Sequence, residues 1–191
     1  MKDDSFFDIP AAYDSIANAT RALSFNMASD LYTGSLLKTL VASKPSGHFL
    51  ELGTGSGLAT SWMLAGMDAA SKLVTVENNA LLQNIAKTQL ADHRIAFILE
   101  DGYDWIRNYS GKSFDLIFAD AMPGKYELFE ETISLVRHGG FYIIDDMLPQ
   151  PNWPDGHAER VEAFIKMLEE RNDLVLTKMA WSTGIIIVTK K

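Results

Sequence analysis

The stretch that most constrains the fold is a short apolar strand that runs into a glycine-rich turn. Residues 48–57 read HFLELGTGSG, with Gly53, Gly55 and Gly57 in the turn, and residues 58–67 then have a helical pattern. Glycine adopts positive φ and lets a ligand approach the backbone closely, while a helix start offers unpaired N–H groups and a partial positive charge. The stretch therefore predicts a ligand-binding cradle at the end of a buried strand.

The glycine spacing separates two classes of cofactor. Dinucleotide enzymes use G-x-G-x-x-G, whose third glycine would fall on Leu58, whereas this chain has G-x-G-x-G after Glu51. A carboxylate at the strand end suits a cationic ligand better than a pyrophosphate. The segment ELGTGSG resembles the first motif of S-adenosylmethionine-dependent methyltransferases with a Rossmann-like fold. The resemblance implies cofactor binding by Glu51, at the methionine end, and by the three glycines. The alternative is an ordinary strand-to-helix turn in which the glycines serve packing.

Strand and helix patterns alternate through the middle of the chain, which is typical of a parallel sheet with helices on both faces. The last two strands are joined by only three residues, 181–183, so they must pair antiparallel. The predicted class is therefore α/β, a Rossmann-like, seven-stranded, mostly parallel sheet that ends in an antiparallel hairpin. Strands are predicted at 49–52, 72–77, 94–99, 114–119, 141–145, 174–180 and 184–190, and helices at 58–67, 79–90, 102–108, 126–137 and 155–171.

Size and composition predict one domain over residues 1–191, with helices in residues 1–45 as a lid or an oligomer contact. The net charge of −8 argues against a broad nucleic-acid surface, which is usually basic. The chain has no cysteine, so disulfides and thiolate metal sites are excluded. The acidic N-terminus lacks the apolar core of a signal peptide, and no apolar run is long enough for a membrane span. We therefore expect a cytoplasmic protein.

Two acids at strand ends are candidates for contacts with an adenosine group. Glu77 ends the second predicted strand, where an acid can accept hydrogen bonds from two ribose hydroxyls. Asp101 follows the third strand and is the candidate for the adenine amino group. Either carboxylate could instead cap the helix that follows it.

Three further carboxylates follow the fourth and fifth strands. Asp120 ends FDLIFAD, and Asp145 and Asp146 end GFYIIDD. Neighbouring parallel strands lie about 4.8 Å apart, so these groups should meet at one edge of the sheet. Unpaired carboxylates there would repel each other and raise one another's pKa, and a hard divalent cation would remove that conflict. The alternative is that they cap loops or helices without a metal.

The same strand ends, together with the terminal WSTGIIIVTK hairpin, resemble the cation-dependent O-methyltransferase family, which includes catechol and caffeoyl-CoA O-methyltransferases. The resemblance spans about residues 27–190. It implies a metal site of Asp120, Asp145 and Asp146, the last in place of the family's Asn, with Asp120 also beside the cofactor. It further implies S-adenosylmethionine, Mg²⁺ or Ca²⁺, a small hydroxyl acceptor and a homodimer.

One departure concerns the catalytic base. The family has Asp-x-x-Lys-x-x-Tyr, but its lysine position is Pro123 here, and Lys125 lies two positions later. Lys125 and His157 are therefore the candidates for catalysis, since histidine titrates near neutral pH. Trp153 is the candidate wall of an aromatic acceptor pocket. His157 could instead be a solvated helix residue, and Trp153 could be a packed loop anchor.

The predicted function is transfer of a methyl group from S-adenosylmethionine to a hydroxyl of a small, aromatic acceptor, with a divalent cation. Three alternatives remain open: a metal-independent methyltransferase, a tRNA-base methyltransferase, and a non-catalytic protein that binds S-adenosylmethionine. The glycine spacing disfavours an NAD-dependent oxidoreductase.

Overall fold

A single seven-stranded sheet organises the chain. The structure, a computed structural model, describes residues 8–191. The strands lie in the order β3-β2-β1-β4-β5-β7-β6. They are β1 (His48–Leu52), β2 (Lys72–Glu77), β3 (Ile95–Leu99), β4 (Phe114–Ala119), β5 (Val136–Ile144), β6 (Leu174–Met179) and β7 (Ile185–Lys190).

The sheet is parallel from β3 to β5 and antiparallel at its other end. β7 pairs antiparallel with both β5 and β6, as the short link between the last two strands requires. The predicted α/β class, with a mostly parallel sheet and a C-terminal hairpin, is confirmed. Because β1 lies between β2 and β4, the strand order reverses there, and a crevice opens at the carboxyl ends of β1 and β4.

Seven helices are described. They are α1 (Tyr13–Ala22), α2 (Leu31–Ala42), α3 (Leu58–Gly66), α4 (Ala80–Gln89), α5 (Gly102–Asn108), α6 (Phe129–Ser134) and α7 (His157–Glu169). No helix within residues 8–191 is both long enough and apolar enough to cross a membrane. The prediction of one domain over residues 1–191 includes residues 1–7, which lie outside the described residues.

Side-chain alternation along β1 divides the core between the two faces of the sheet. Leu50 and Leu52 pack on one face, in the cluster that contains α5 and α7 residues. Phe49 packs on the other face with α2 and α3 residues. Since alternate residues of a strand share a face, Glu51 must point to the side of Phe49, beneath α3. This parity decides the environment of Glu51.

The sequence prediction was wrong for the segment between β4 and β5. The helix predicted at 126–137 is the short α6, and β5 begins at Val136, inside the predicted helix and before the strand predicted at 141–145. Val136 pairs with Phe114, and the register then shifts before Phe141 pairs with Leu116. Pairing with β4 therefore places in a strand residues that the local sequence pattern predicted to be helical.

Candidate functional site

A cavity of about 600 Å³ opens at the carboxyl ends of β1, β4 and β5. Its walls come from the glycine turn, the end of β2, the loops after β4 and β5, the start of α7, and residues 25–29. The cavity contains these predicted site residues: Gly53, Gly55, Glu77, Asp120, Lys125, Asp145, Asp146, Trp153 and His157. Glu51, Gly57 and Asp101 do not line it.

The turn after β1 brings backbone to the cavity wall. Gly53 and Gly55 have φ values of 98° and 52°. A Cβ at Gly53 would lie 2.8 Å from the carbonyl oxygen of Asp120, so only glycine fits there. The N–H of Gly55 donates to Oε2 of Glu77 over 2.8 Å. The turn is thus both closely packed and tied to the end of β2.

Gly57 does not line the cavity and instead packs against α4. It has φ 97°, and a Cβ there would lie 2.7 Å from the Cβ of Ala86 in α4. The prediction that Gly57 binds the cofactor directly is therefore corrected. Its role is close packing of α3 against α4.

Substitution Gly57→Ala is expected to lower the free energy of unfolding by about 3 kcal/mol, because positive φ costs about 1–2 kcal/mol and overpacking adds about 1–3 kcal/mol. Gly139→Ala is the matched control. Gly139 also has positive φ, at 70°, but a Cβ there meets nothing within 4 Å. Denaturant unfolding of both variants separates the two effects. Equal losses would show that the contact with Ala86 contributes nothing.

Glu51 is completely buried and does not reach the cavity. Its Oε2 accepts hydrogen bonds from the hydroxyls of Thr60 and Thr75, each over 2.6 Å, and its Oε1 has no partner among the described residues. Burial raises the pKa of Glu51 to about 7, against the opposing effect of the two hydroxyls. The prediction that Glu51 contacts the cofactor is corrected, because the parity of β1 turns its side chain beneath α3.

The two acids predicted for an adenosine group have different positions. Glu77 lines the cavity, and its Oε1 accepts from the backbone N–H groups of Asn78 and Asn79. Asp101 caps α5 by accepting from the N–H groups of Tyr103 and Asp104. Its neighbours Glu100 and Gly102, but not Asp101 itself, border a second cavity of about 80 Å³ next to the first. Asp101 thus takes the helix-cap role that the sequence allowed, through Oδ1 alone, and its contact with adenine stays a prediction.

The carboxylates after β4 and β5 do meet at the cavity. Oδ2 of Asp120 accepts from the hydroxyl of Ser29 over 2.8 Å. Oδ1 of Asp145 accepts from the hydroxyl of Thr183 and from the N–H of Asp146. Burial raises the pKa of Asp120 well above its ordinary value, with Asp145 adding to the rise, and burial raises the pKa of Asp145 to about 6.

These carboxylates do not form a ligand set for a divalent cation. Within residues 8–191, no three carboxylate or imidazole groups converge closely enough to hold a metal ion. Hydroxyls of Ser29 and Thr183 already bond to Asp120 and Asp145. The donor set as it lies therefore does not fit the three-aspartate site.

Aromatic side chains and a buried lysine line the cavity near these carboxylates. The rings of Trp153 and His157 lie 4.6 Å apart between centroids, and Nε2 of His157 is 3.3 Å from the hydroxyl of Tyr126. Burial lowers the pKa of His157, and the charges of Lys125 and Arg160 lower it further. At neutral pH the imidazole is therefore mainly neutral and can accept a proton.

Residues 25–29 were not predicted to belong to the site. This segment, between α1 and α2, lines the cavity, and a Cβ at Gly55 would lie 3.4 Å from the ring of Phe25. Asp30 caps the start of α2, whereas Ser29 turns toward Asp120. Local sequence carries no signal for that contact, because the two residues are 91 positions apart.

Comparison with known proteins identifies the family to which the chain is similar. The family described as a methyltransferase domain matches residues 50–147. A putative O-methyltransferase of Mycobacterium sp. (strain KMS) is 29% identical over 140 residues, which cover 69% of this chain and 64% of the relative. A catechol O-methyltransferase of Mycobacterium tuberculosis is 26% identical over 147 residues, covering 74% of this chain and 66% of the relative. The chain thus spans less than two thirds of these relatives' length.

Solved structures show the same fold. The O-methyltransferase TomG of Streptomyces achromogenes, in complex with S-adenosylmethionine, superposes with a TM-score of 0.85 at 23% identity, covering 98% of this chain and 92% of that one. An O-methyltransferase of Bacillus cereus, in complex with S-adenosylhomocysteine, gives a TM-score of 0.83 at 20% identity, covering 98% and 94%. The resemblance to O-methyltransferases is confirmed.

Proposed function

This chain belongs to the methyltransferase-domain family, and we propose that it transfers a methyl group from S-adenosylmethionine to a hydroxyl of a small acceptor. The observation that carries the proposal is one cavity with two different ends. One end has the glycine turn and Glu77, and the other has carboxylates beside Lys125, Trp153 and His157. Such a cavity can hold a nucleoside cofactor and an acceptor side by side.

The cofactor end is supported by backbone geometry. The missing side chain at Gly53 lets the backbone of Asp120 pack against the end of β1, and Gly55 is held in place by Glu77. The Glu77 carboxylate lines the cavity, where it can accept hydrogen bonds from ribose hydroxyls. When bound, S-adenosylmethionine supplies the sulfonium methyl group for the transfer.

The acceptor end is supported by the aromatic wall. Trp153 and His157 can pack against a flat ring, which favours an aromatic hydroxyl compound as the acceptor. In the balanced reaction, the acceptor oxygen loses its proton and forms a bond to the methyl carbon while the carbon–sulfur bond breaks. The neutral imidazole of His157 can take that proton, and S-adenosylhomocysteine is the second product.

A homodimer and a cytoplasmic location, both expected from the resemblance or the sequence, remain predictions. Dependence on Mg²⁺ or Ca²⁺ is an expectation that the arrangement of the carboxylates does not support. Among the alternative functions, a metal-independent methyltransferase is favoured by one specific observation, the ammonium group of Lys125 beside the carboxylates.

Calorimetric titration of S-adenosylhomocysteine into the protein tests the proposed function. We expect one binding site per chain with a micromolar Kd, and no binding of NAD, because the glycine spacing does not suit a dinucleotide. A panel of phenols and catechols, with S-adenosylmethionine present, then reports methyl transfer by mass spectrometry. Absence of nucleoside binding would overturn the proposal. Tight binding without transfer to any of these acceptors would favour a non-catalytic role.

A further inference from the structure

Lys125 is a buried ammonium that faces a cavity with most of its donors unused. The side chain is on the cavity wall, yet the residue is only 3% exposed. Its Nζ donates to the backbone carbonyl of Asp145 over 2.8 Å, and this is its one hydrogen bond to residues 8–191. An ammonium has three N–H donors, so two remain. Burying a charge with so few partners is unfavourable unless another group completes its hydrogen bonds.

A closely packed turn places Lys125 in this position. Gly124 has φ 87°, and a Cβ there would lie 2.8 Å from Cδ1 of Leu52. The N–H of Gly124 donates to the carbonyl of Glu127, and the hydroxyl of Tyr142 donates to the carbonyl of Gly124. Pro123 begins this turn at the position where the related family has its lysine. The turn therefore holds the side chain of Lys125 inward, two residues after the position of the family's lysine.

The ammonium lies in the electrostatic neighbourhood of the predicted metal ligands. Its positive charge acts on both Asp120 and Asp145, where it opposes their mutual repulsion. The same carboxylates do not converge into a metal-ligand set. The ammonium of Lys125 thus supplies a positive charge at the place where the resemblance implies a divalent ion.

We propose that the ammonium of Lys125 takes the place of the divalent cation and holds the acceptor oxygen. This inference rests on the proposed function. The two N–H groups of Lys125 that are not bonded to protein can donate to an oxygen atom. A hydroxyl or phenolate oxygen of the acceptor can accept these hydrogen bonds. A fixed positive charge also stabilises the negative charge that develops as the hydroxyl proton leaves. A single hydroxyl is therefore enough for an acceptor to bind, and a vicinal pair of hydroxyls that could chelate a metal is not required.

The first test is metal binding by the wild-type protein, with Mn²⁺ as a spectroscopic probe. Titration followed by electron paramagnetic resonance should show no stoichiometric Mn²⁺ site, with or without S-adenosylhomocysteine. Calorimetric binding of phenol and of catechol to the S-adenosylhomocysteine complex should be unchanged by EDTA. One tight Mn²⁺ site, or acceptor binding that EDTA abolishes, would overturn the inference.

The second test removes the charge. Lys125→Met is expected to weaken binding of phenol to the S-adenosylhomocysteine complex at least about tenfold, as for loss of a hydrogen bond from a charged donor. Binding of S-adenosylhomocysteine itself should change less than about threefold, since the cofactor end does not use this residue. Lys87→Met, at an exposed position of α4, is the matched control and should bind both ligands normally.

The variant also gives a readout that a purely structural role would not change. With the ammonium removed, phenol should lose affinity while toluene, which has the same ring but no oxygen for the ammonium to hold, should bind as it does to wild type. Unaltered phenol binding by folded Lys125→Met would contradict the inference. If the variant does not fold, the Mn²⁺ and EDTA measurements on the wild type still decide it. Failure of the wild type to bind S-adenosylhomocysteine would instead reject the proposed function.

Discussion

Replacing Glu77 with alanine is expected to weaken binding of S-adenosylhomocysteine at least about 100-fold while leaving the fold intact. Each hydrogen bond between a ribose hydroxyl and the carboxylate contributes about 1.5–3 kcal/mol, and two such bonds correspond to a loss of that size. The same substitution removes the acceptor for the N–H of Gly55, which holds the glycine turn against the end of β2. The effect therefore combines a lost ligand contact with a loosened cradle.

Calorimetric titration of the variant measures the loss, with two comparisons. Glu131→Ala changes an exposed glutamate of α6 and should leave the Kd unchanged. Glu77→Gln keeps an oxygen acceptor of the same length and should lose less affinity than Glu77→Ala. A Kd for Glu77→Ala within threefold of wild type, in a protein that unfolds normally, would show that this carboxylate does not bind the nucleoside.

Replacing Glu51 with glutamine should change how stability depends on pH. The pKa of Glu51 is about 7 in the folded protein, against an ordinary value of 4.5, because the carboxyl is fully buried. The folded state thus holds this proton more tightly than the unfolded state. Stability is lost as pH rises from about 4.5 through about 7, and the whole cost is present above that pKa. At about 1.4 kcal/mol for each pH unit, the difference between 4.5 and about 7 corresponds to a cost of at most about 3.5 kcal/mol.

Chemical denaturation of wild type and Glu51→Gln at pH 5 and pH 8.5, without cofactor, measures this effect. The free energy of unfolding of the variant, relative to wild type, should rise by up to about 3 kcal/mol between the two pH values. The comparison cancels any constant cost of burying an amide where Oε1 lacks a partner. Glu131→Gln, at its exposed position, should show no such change. A pH-independent difference for Glu51→Gln would mean that the carboxyl is not buried as an acid.

Much of the fold could be predicted because it depends on local patterns. The bounds of β2, β4 and α5 agree with the sequence prediction residue for residue. The antiparallel hairpin followed from the length of one link. The failure at α6 and β5 has a non-local cause, because Val136 is drawn into the sheet by Phe114. No window of sequence around residue 136 contains that partner.

The site divides in the same way. The residue types that follow each strand can be read in the sequence, which therefore predicts Glu77, Asp120 and Asp145 at the edge of the sheet where they line the cavity. The direction of individual side chains could not be read so reliably. Glu51 is turned beneath α3, and Asp101 satisfies the start of α5. In both cases nearby protein donors bond to one oxygen of the carboxylate.

By itself the sequence determined the order of strands and helices, the glycine turn after β1, and the set of acids at the strand ends, because each follows from periodicity or from backbone freedom over a few residues. Only the tertiary structure decided that Ser29 reaches Asp120, and that Lys125 is buried beside the carboxylates. Those relations join residues far apart in the chain. They depend on how the loops pack over the ends of the sheet, and burial then sets the charges and the free donors that the site presents.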